Sequence, residues 1–310
     1  MGSTKANRSN VITLRQALEV AEKHGYATGS FSPRLTPMIA AVLQGGQRLS
    51  SPIIVQISNN EFIRYGITPI AFADEFYAQI DRLNITVPVV LHLDHTKELD
   101  TITKAIDAGF TSVMIDASEL PFEDNVRITK EVVDYAHTYG VSVEAELGKI
   151  GTTDFIETDL DEELYTDPTE AAEFVRRTGI DALAVSCGTA HGVYMVKAPK
   201  IDYDRLMRIR SLSPVHLVLH GGSGVPVHMI RQAFQLHGGG VSKVNIATDL
   251  EVSLLRSLGR EGRMTNEECK SLSSNELEVA REAVENTVKE KIHSFLLSEG
   301  KSNHFDFLRS

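Results

Sequence analysis

The chain alternates short, β-branched apolar runs with amphipathic segments along almost its whole length. Most of the apolar runs are continuous, a pattern typical of strands that are buried on both faces of a parallel sheet. Between them, apolar residues recur with a helical period, as Ala73, Phe76, Tyr77 and Ile80 do. The predicted strands are Ala27–Phe31, Ile53–Ile57, Val87–Leu93, Ser112–Ile115, Ser142–Leu147, Ala182–Ser186, His216–Leu219 and Val241–Ile246.

Eight strands, each followed by a helix, predict an α/β fold of the closed (β/α)8 TIM-barrel type, with an open doubly wound sheet as the alternative. The length of 310 residues suits one barrel domain over 1–310 with extensions at its ends. Residues 1–10 are polar and are expected to form a flexible N-terminal tail without a secretory signal. A helical period over 275–296 predicts a C-terminal helix.

Charge and composition exclude several classes of partner. The 31 basic and 42 acidic residues give a net charge of −11, which argues against binding nucleic acid or an anionic membrane. No apolar run reaches the ~18 residues of a membrane span. The two cysteines, Cys187 and Cys269, form no disulfide framework, so a reducing cytoplasmic location is expected. A phosphorylated small molecule stays compatible with this charge, because backbone N–H groups can hold phosphate.

Polar residues follow five of the predicted strands at their carboxyl ends. In a barrel these ends meet on one face, where barrel enzymes place their catalytic groups. The sequence therefore predicts an active site on that face. The segments are Asp94-His95, Glu146-Leu147-Gly148, Ser186 to Gly192, His220 to Gly224 and Asn245 to Asp249.

Three of these segments carry a histidine: His95, His191 and His220. Three imidazoles with a fourth, open position are typical of a catalytic zinc site. A single histidine is more often an ordinary core or surface residue, but three at equivalent barrel depth favour a metal. His92 and His216 are interpreted as structural residues.

The run Gly221-Gly222-Ser223-Gly224 precedes Pro226 and the apolar period of a helix. A glycine-rich turn that opens a helix brings free N–H groups and the helix dipole to one place. After strand 7, with Asn245–Thr248 after strand 8, it lies where barrels commonly bind phosphate. A simple turn is the alternative interpretation.

Carboxylates complete the predicted site. Asp94 is a candidate general acid and base beside the metal, or alternatively a residue that orients an imidazole. Glu146 is an auxiliary metal ligand or an orienting residue. The acid-rich segment from Thr152 to Pro168 is either a lid that carries a base or a solvated loop.

Together these motifs resemble the class II, zinc-dependent ketose-bisphosphate aldolases of the fructose and tagatose types. The resemblance extends over about residues 11 to 296 and implies a (β/α)8 barrel. The matching runs are Leu91 to His95, Val143 to Gly148, Gly188 to Gly192, His220 to Gly224 and Lys243 to Thr248.

The resemblance implies roles for individual residues. His95, His191 and His220 would bind one catalytic Zn2+ per subunit, with Glu146 as an alternative metal contact. Asp94 would donate and accept the proton of the aldehyde oxygen, and Asp154 aligns roughly with a catalytic loop glutamate of the family. The residues expected to bind the substrate are Ser58, Gly192, Gly221, Gly222, Ser223, Asn245, Ala247 and Thr248.

The implied reaction is reversible cleavage of a ketose 1-phosphate or ketose 1,6-bisphosphate to dihydroxyacetone phosphate and an aldehyde, through a metal-stabilised enediolate. A monovalent cation, Na+ or K+, is expected near the phosphate, and the assembly is expected to be a homodimer or homotetramer. Departures from the family pattern at Thr96, Thr152 and Asp154 keep a catalytically silent sugar-phosphate-binding paralogue as an alternative. A metal-dependent hydrolase on the same barrel is a further alternative, although it would need no phosphate site.

Overall fold

Eight parallel strands close into a barrel in which each strand pairs with the next along the chain and β8 pairs with β1. The computed structural model describes residues 8–149, 164–189 and 199–308. The strands are β1 Thr28–Phe31, β2 Ile53–Ser58, β3 Val89–Thr96, β4 Ser112–Ile115, β5 Ser142–Leu147, β6 Ala182–Val185, β7 His216–Leu219 and β8 Val241–Ile246. This confirms the predicted barrel and excludes the open sheet. The prediction was wrong about the end of β3, which continues three residues beyond Leu93.

Helices follow every strand and form the outer layer. They are α1 Leu14–Lys23, α2 Ile39–Arg48, α3 Asn59–Tyr65, α4 Pro69–Arg82, α5 Leu99–Ala108, α6 Phe122–Thr138, α7 Pro168–Thr178, α8 Tyr203–Leu212, α9 Val227–Phe234, α10 Thr248–Ser257, α11 Asn266–Lys270 and α12 Ser274–Glu290. The last continues as a π-helix, Lys291–Leu296, which matches the C-terminal helix expected from the sequence. None of the helices in the described ranges has both the length and the apolar character needed to cross a bilayer.

Side chains inside the barrel lie in layers, because successive strand residues point alternately inward and outward. At the amino end, Ile54, Val90, Met114 and Val218 belong to one apolar cluster with Leu14 and Leu18 of α1. Two residues further along the strands, towards their carboxyl ends, the inward-facing side chains are polar. The polar inner residues are Gln56 of β2, His92 of β3, Glu144 of β5 and Lys243 of β8, all buried. The barrel is therefore closed by apolar packing at one end and carries its polar groups towards the other.

Phe72 illustrates how the outer layer stabilises the barrel. Its ring is fully buried, packs edge-to-face on Phe62 at 6.3 Å and stacks on Phe110 at 6.4 Å between ring centroids.

Phe72→Ala should therefore lower the free energy of unfolding by about 3–5 kcal/mol, through lost burial and the cavity that remains. Urea denaturation followed by circular dichroism measures this change. Ile70→Ala on the same helix is the control, since Ile70 is 58% exposed and should change stability little; equal losses in the two variants would contradict the packing described.

Candidate active site

A bulge in β3 gives the site its first two side chains. Between Leu93 and Thr96 the pairing with β4 shifts register, so that β3 contains one residue more than its partner. His95 has a φ of 28°, a backbone conformation unusual for a residue other than glycine. In a regular strand, consecutive side chains point to opposite faces, but here Asp94 and His95 both contribute to one cluster of potential metal-binding groups.

The His95 ring is oriented by a carboxylate from the neighbouring strand. Its Nδ1 lies 2.9 Å from Asp116 Oδ2, and Asp116 follows the last residue of β4. Burial alone lowers the pKa of an imidazole, but three surrounding carboxylates outweigh this and raise the pKa of His95 to about 10. With Nδ1 bonded to Asp116, a metal ion held by His95 would be bound by the other ring nitrogen, Nε2.

His220 is the second imidazole, directly after β7, and its ring centroid lies 4.6 Å from that of His95. Its Nε2 is 2.9 Å from Glu144 Oε1, while its Nδ1 is 3.5 Å from Glu146 Oε2. The ring is completely buried. The hydrogen bond to Glu144 therefore turns the opposite nitrogen, Nδ1, towards Glu146.

Glu146 supplies a buried carboxylate between the two rings. Its Oε1 accepts a hydrogen bond from Ser118 Oγ at 3.3 Å, whereas its Oε2 makes no hydrogen bond to any residue that the structure describes. Burial raises the pKa of Glu146 to about 8, although the nearby imidazole of His95 acts in the opposite direction. A buried carboxylate oxygen without a donor is costly by itself and fits a site that holds a cation.

Three sets of ligand atoms in the described residues satisfy the spacing needed for one ion, and one of them, His92, Asp94 and Glu144, lies deeper in the barrel and is buried. Atoms of Asp94, His95 and His220 lie within 4.8 Å of one another, and so do those of His95, Asp116 and Glu146. Imidazole nitrogen and carboxylate oxygen are donors that suit zinc and other divalent metals. The residues present therefore fit a metal ion.

Asp94 lies beside this cluster and is held by two neutral amides. Gln56 Nε2 donates to its Oδ2 and Asn245 Nδ2 donates to its Oδ1, both at 3.1 Å. Burial opposes ionisation, but neighbouring imidazoles and the Lys243 ammonium keep the pKa of Asp94 well below its usual value. At neutral pH it is a carboxylate with a fixed orientation, able to accept a proton.

The glycine turn after β7 packs directly against β8. The Gly222 N–H donates to the Asn245 carbonyl at 3.1 Å, and a Cβ on Gly222 would lie 2.5 Å from Val244 Cγ1. Gly221 and Gly224 have φ values of 67° and 75°, which glycine adopts without strain. Only a residue without a side chain fits at position 222.

The N-terminus of α10 lies next to this turn. Ser223 Oγ accepts a hydrogen bond from the Asp249 N–H at 3.3 Å. Ala247 precedes the first helical residue, Thr248, so the turn and the first turn of a ten-residue helix are adjacent. Backbone N–H groups of a turn and of a helix N-terminus together form an environment suited to an anion.

The other predicted site residues are distributed as follows. Ser58 lies opposite Asp94 in the β2–β3 pairing and caps α3, its Oγ accepting from the Glu61 N–H at 3.3 Å. The structure brings together His95, His220, Glu146, Asp94 and Asn245. Asp154, His191 and Gly192 lie outside the described residues.

Four polar residues of this site were not predicted: Gln56, Asp116, Glu144 and Lys243. Asp116 directly follows a predicted strand, so its position at a strand end could have identified it. The others occupy inward positions within strands, two residues before a predicted site residue. That spacing of two is the signal that could have identified them.

Comparison with known proteins identifies the family of this chain. The family model for class II fructose-bisphosphate aldolase matches residues 12–301. The chain belongs to this family. A fructose-bisphosphate aldolase of Geobacillus stearothermophilus is 41% identical over 251 residues, which are 80% of this chain and 85% of the relative.

Solved aldolases share the fold. The YdjI aldolase of Escherichia coli K12 is 32% identical with a TM-score of 0.79, over 94% of this chain and 99% of that one. A fructose-bisphosphate aldolase of Campylobacter jejuni has a TM-score of 0.76 over 97% of this chain and 99% of its own, and at 24% identity it supports the fold alone. The protein is thus a class II aldolase, a carbon–carbon lyase of a generally metal-dependent family.

Metal binding to this aldolase should release protons at neutral pH. Without metal, His95 and Glu146 have pKa values raised to about 10 and about 8, so both hold protons at pH 7. A metal ion must displace these protons, so affinity should rise with pH by up to about tenfold per pH unit for each proton displaced. Titration calorimetry with Zn2+ in two buffers of different ionisation enthalpy counts the protons released. Equal apparent enthalpies together with a pH-independent affinity would contradict the site described.

Proposed function

We propose that this aldolase uses zinc to cleave a ketose 1-phosphate or ketose 1,6-bisphosphate reversibly to dihydroxyacetone phosphate and an aldehyde. The observation that carries the proposal is the convergence of His95, His220 and Glu146 beside Asp94 and a glycine turn. The first three offer the donors of a metal site, the fourth is a base, and the turn suits a phosphate. No other part of the described chain combines these three chemistries.

His95 and His220 would hold the zinc ion, together with His191, and Glu146 would be an alternative ligand. A bound divalent ion would act as a Lewis acid and stabilise the negative charge of the enediolate. Glu144 and Asp116 would keep both imidazoles in the required orientation through the hydrogen bonds described above.

Asp94 would take the proton from the C4 hydroxyl as the C3–C4 bond breaks, and return it in the condensation direction. Its two amide donors orient the carboxylate without transferring a proton to it, so that Asp94 is ionised and correctly placed when the C4 hydroxyl arrives. The family resemblance assigns to Asp154 the proton transfer at the enediolate carbon.

The triose phosphate would be held by Gly221, Gly222 and Ser223 of the turn, with Gly192, and by Asn245, Ala247 and Thr248 after β8. Backbone N–H groups in these segments, other than that of Gly222, which donates to the Asn245 carbonyl, would bind phosphate in a protein whose net charge is −11. Ser58, placed opposite Asp94, would contact the substrate from β2. The remaining parts of the proposal rest on family resemblance and composition. They are a Na+ or K+ ion near the phosphate, a homodimer or homotetramer, a single domain and a cytoplasmic location.

The reaction is tested by proton exchange at carbon. We expect the zinc-loaded protein to exchange a C–H proton of dihydroxyacetone phosphate with deuterated water, as followed by nuclear magnetic resonance. Chelation should abolish the exchange and zinc should restore it, and borohydride should trap no covalent adduct. Exchange that persists after chelation, with an imine trapped on a lysine, would contradict the proposal.

Replacing Asp94 tests whether its carboxylate acts in the cleavage reaction rather than in zinc binding. Asp94→Asn keeps the size of the side chain but removes its basicity, so cleavage should slow by about 10²–10⁴-fold while zinc still binds. Rates of ketose bisphosphate cleavage and zinc content are the measurements. Asp81→Asn is the control, because Asp81 is an exposed residue that pairs with Arg8. Cleavage by Asp94→Asn at the wild-type rate would remove Asp94 from the mechanism.

The phosphate site can be tested by adding one methyl group. Gly222→Ala places a Cβ against Val244 and the Asn245 carbonyl, and relieving such a clash typically costs about 1–3 kcal/mol. The turn must shift to relieve the clash, and the same free energy should weaken substrate binding. We therefore expect KM for the phosphorylated substrate to rise about tenfold. Gly262→Ala is the matched control, because a Cβ there meets no atom within 4 Å. An unchanged KM in Gly222→Ala would exclude the turn as the phosphate site.

A further inference from the structure

A row of buried charged and polar groups lies beneath the candidate metal site. Lys243 of β8 is fully buried, and its Nζ donates to Glu144 Oε2 at 2.8 Å. The other oxygen of Glu144, Oε1, is bonded to His220 Nε2 at 2.9 Å. An ammonium group, a carboxylate and an imidazole are thus joined from β8 across β5 to β7, each fully buried.

His92 holds the ammonium from its other side. Its Nε2 lies 3.4 Å from Lys243 Nζ, and its Nδ1 lies 2.8 Å from Ser112 Oγ. A lysine ammonium can only donate, so His92 Nε2 is the acceptor and Nδ1 carries the proton that is donated to Ser112. The Lys243 ammonium group is therefore fixed between His92 Nε2 and Glu144 Oε2.

Stability alone does not account for this arrangement. Removing an ammonium group and a carboxylate from water costs several kcal/mol each, and replacing a buried pair with apolar groups is often neutral or stabilising. The layer just below, with Ile54 and Val218, shows that the same barrel interior accepts apolar packing. The pair of Lys243 and Glu144 is better explained by what it does to His220.

Glu144 can fix His220 only if Glu144 is itself fixed. Each of its oxygens has one strong partner, Lys243 on one side and His220 on the other. Without the ammonium, Oε2 would be a buried charged atom facing only His92, and the carboxylate would rotate or draw in water. His220 would then lose the contact that keeps Nε2 inward and turns Nδ1 towards Glu146.

We propose that Lys243 is a positioning residue of the metal site, which acts through Glu144 to hold His220 with Nδ1 facing the ion. This inference rests on the metal site of the proposed function. Lys243 touches neither the metal ligands nor the substrate in this role. The proposed route from Lys243 to His220 passes through one side chain, Glu144, and this makes it testable by a mutant cycle.

The test measures zinc affinity by competition with a chelator in Lys243→Met, Glu144→Gln and the double variant. Loss of a group that orients a ligand typically weakens metal binding about 10–100-fold, and we expect this for each single variant. If Lys243 acts through Glu144, the double variant should bind zinc no more weakly than Glu144→Gln. The visible spectrum of the Co2+-substituted protein should change in Lys243→Met, since it reports ligand geometry.

Arg210→Met is the matched control. Arg210 is a largely buried cation that pairs with Glu22, beside His216 at the opposite end of the barrel. Its loss should lower the melting temperature and leave zinc affinity and the Co2+ spectrum unchanged.

A folded Lys243→Met variant with wild-type zinc affinity would overturn the inference, and so would multiplicative effects in the double variant. Should Lys243→Met fail to fold, Glu144→Gln decides: wild-type zinc affinity in that variant overturns the inference, and weakened affinity with an altered Co2+ spectrum supports it. A wild-type protein that binds no zinc would instead defeat the proposed function itself. The two failures are therefore distinguishable.

Discussion

Closure of the sheet into a barrel is the constraint on which the other features depend. It encloses a narrow interior that every second strand residue must enter, so each inward side chain has to fit its neighbours in both volume and charge. The amino end satisfies this requirement with apolar side chains, which pack on α1. Towards the carboxyl end the interior contains charged groups, and Lys243, Glu144 and His92 can be buried there only because they pair with one another.

A local irregularity then converts this regular scaffold into a site. The bulge in β3 lets two consecutive residues, Asp94 and His95, serve the same cluster, which a regular strand would not allow. Asp94 accepts hydrogen bonds from Gln56 of the neighbouring β2 and from Asn245 of β8, and these fix the carboxylate that the bulge presents. The proposed base and the proposed metal ligand are thereby adjacent in sequence and in space, and neither depends on a long loop for its position.

Strands and helices were predictable from the sequence because burial on both faces leaves continuous apolar runs. The end of β3 was mispredicted because Asp94, His95 and Thr96 are polar, and a sequence pattern does not distinguish a bulged strand from a loop. Glu144 and Lys243 were not predicted for a related reason. The alternation of residues along a strand shows that a side chain points inward, but it does not show which partner that side chain contacts across the barrel. The roles of Asp154, His191 and Gly192 stay predictions.

The charge of the site explains how an acidic protein can bind an anionic sugar phosphate. Once a metal ion has displaced the protons of His95 and Glu146, the carboxylates Asp94, Glu144 and Glu146 outnumber the single ammonium of Lys243 within the described part of the barrel interior. Such an interior repels a phosphate but attracts a divalent cation, whose charge would offset the excess. The phosphate would then approach from the β7–β8 side, where backbone N–H groups replace lysine or arginine. The proposed cation site uses side chains from β3, β5 and β7, whereas the proposed anion site uses backbone N–H groups after β7 and β8, so each has the electrostatic environment that it needs.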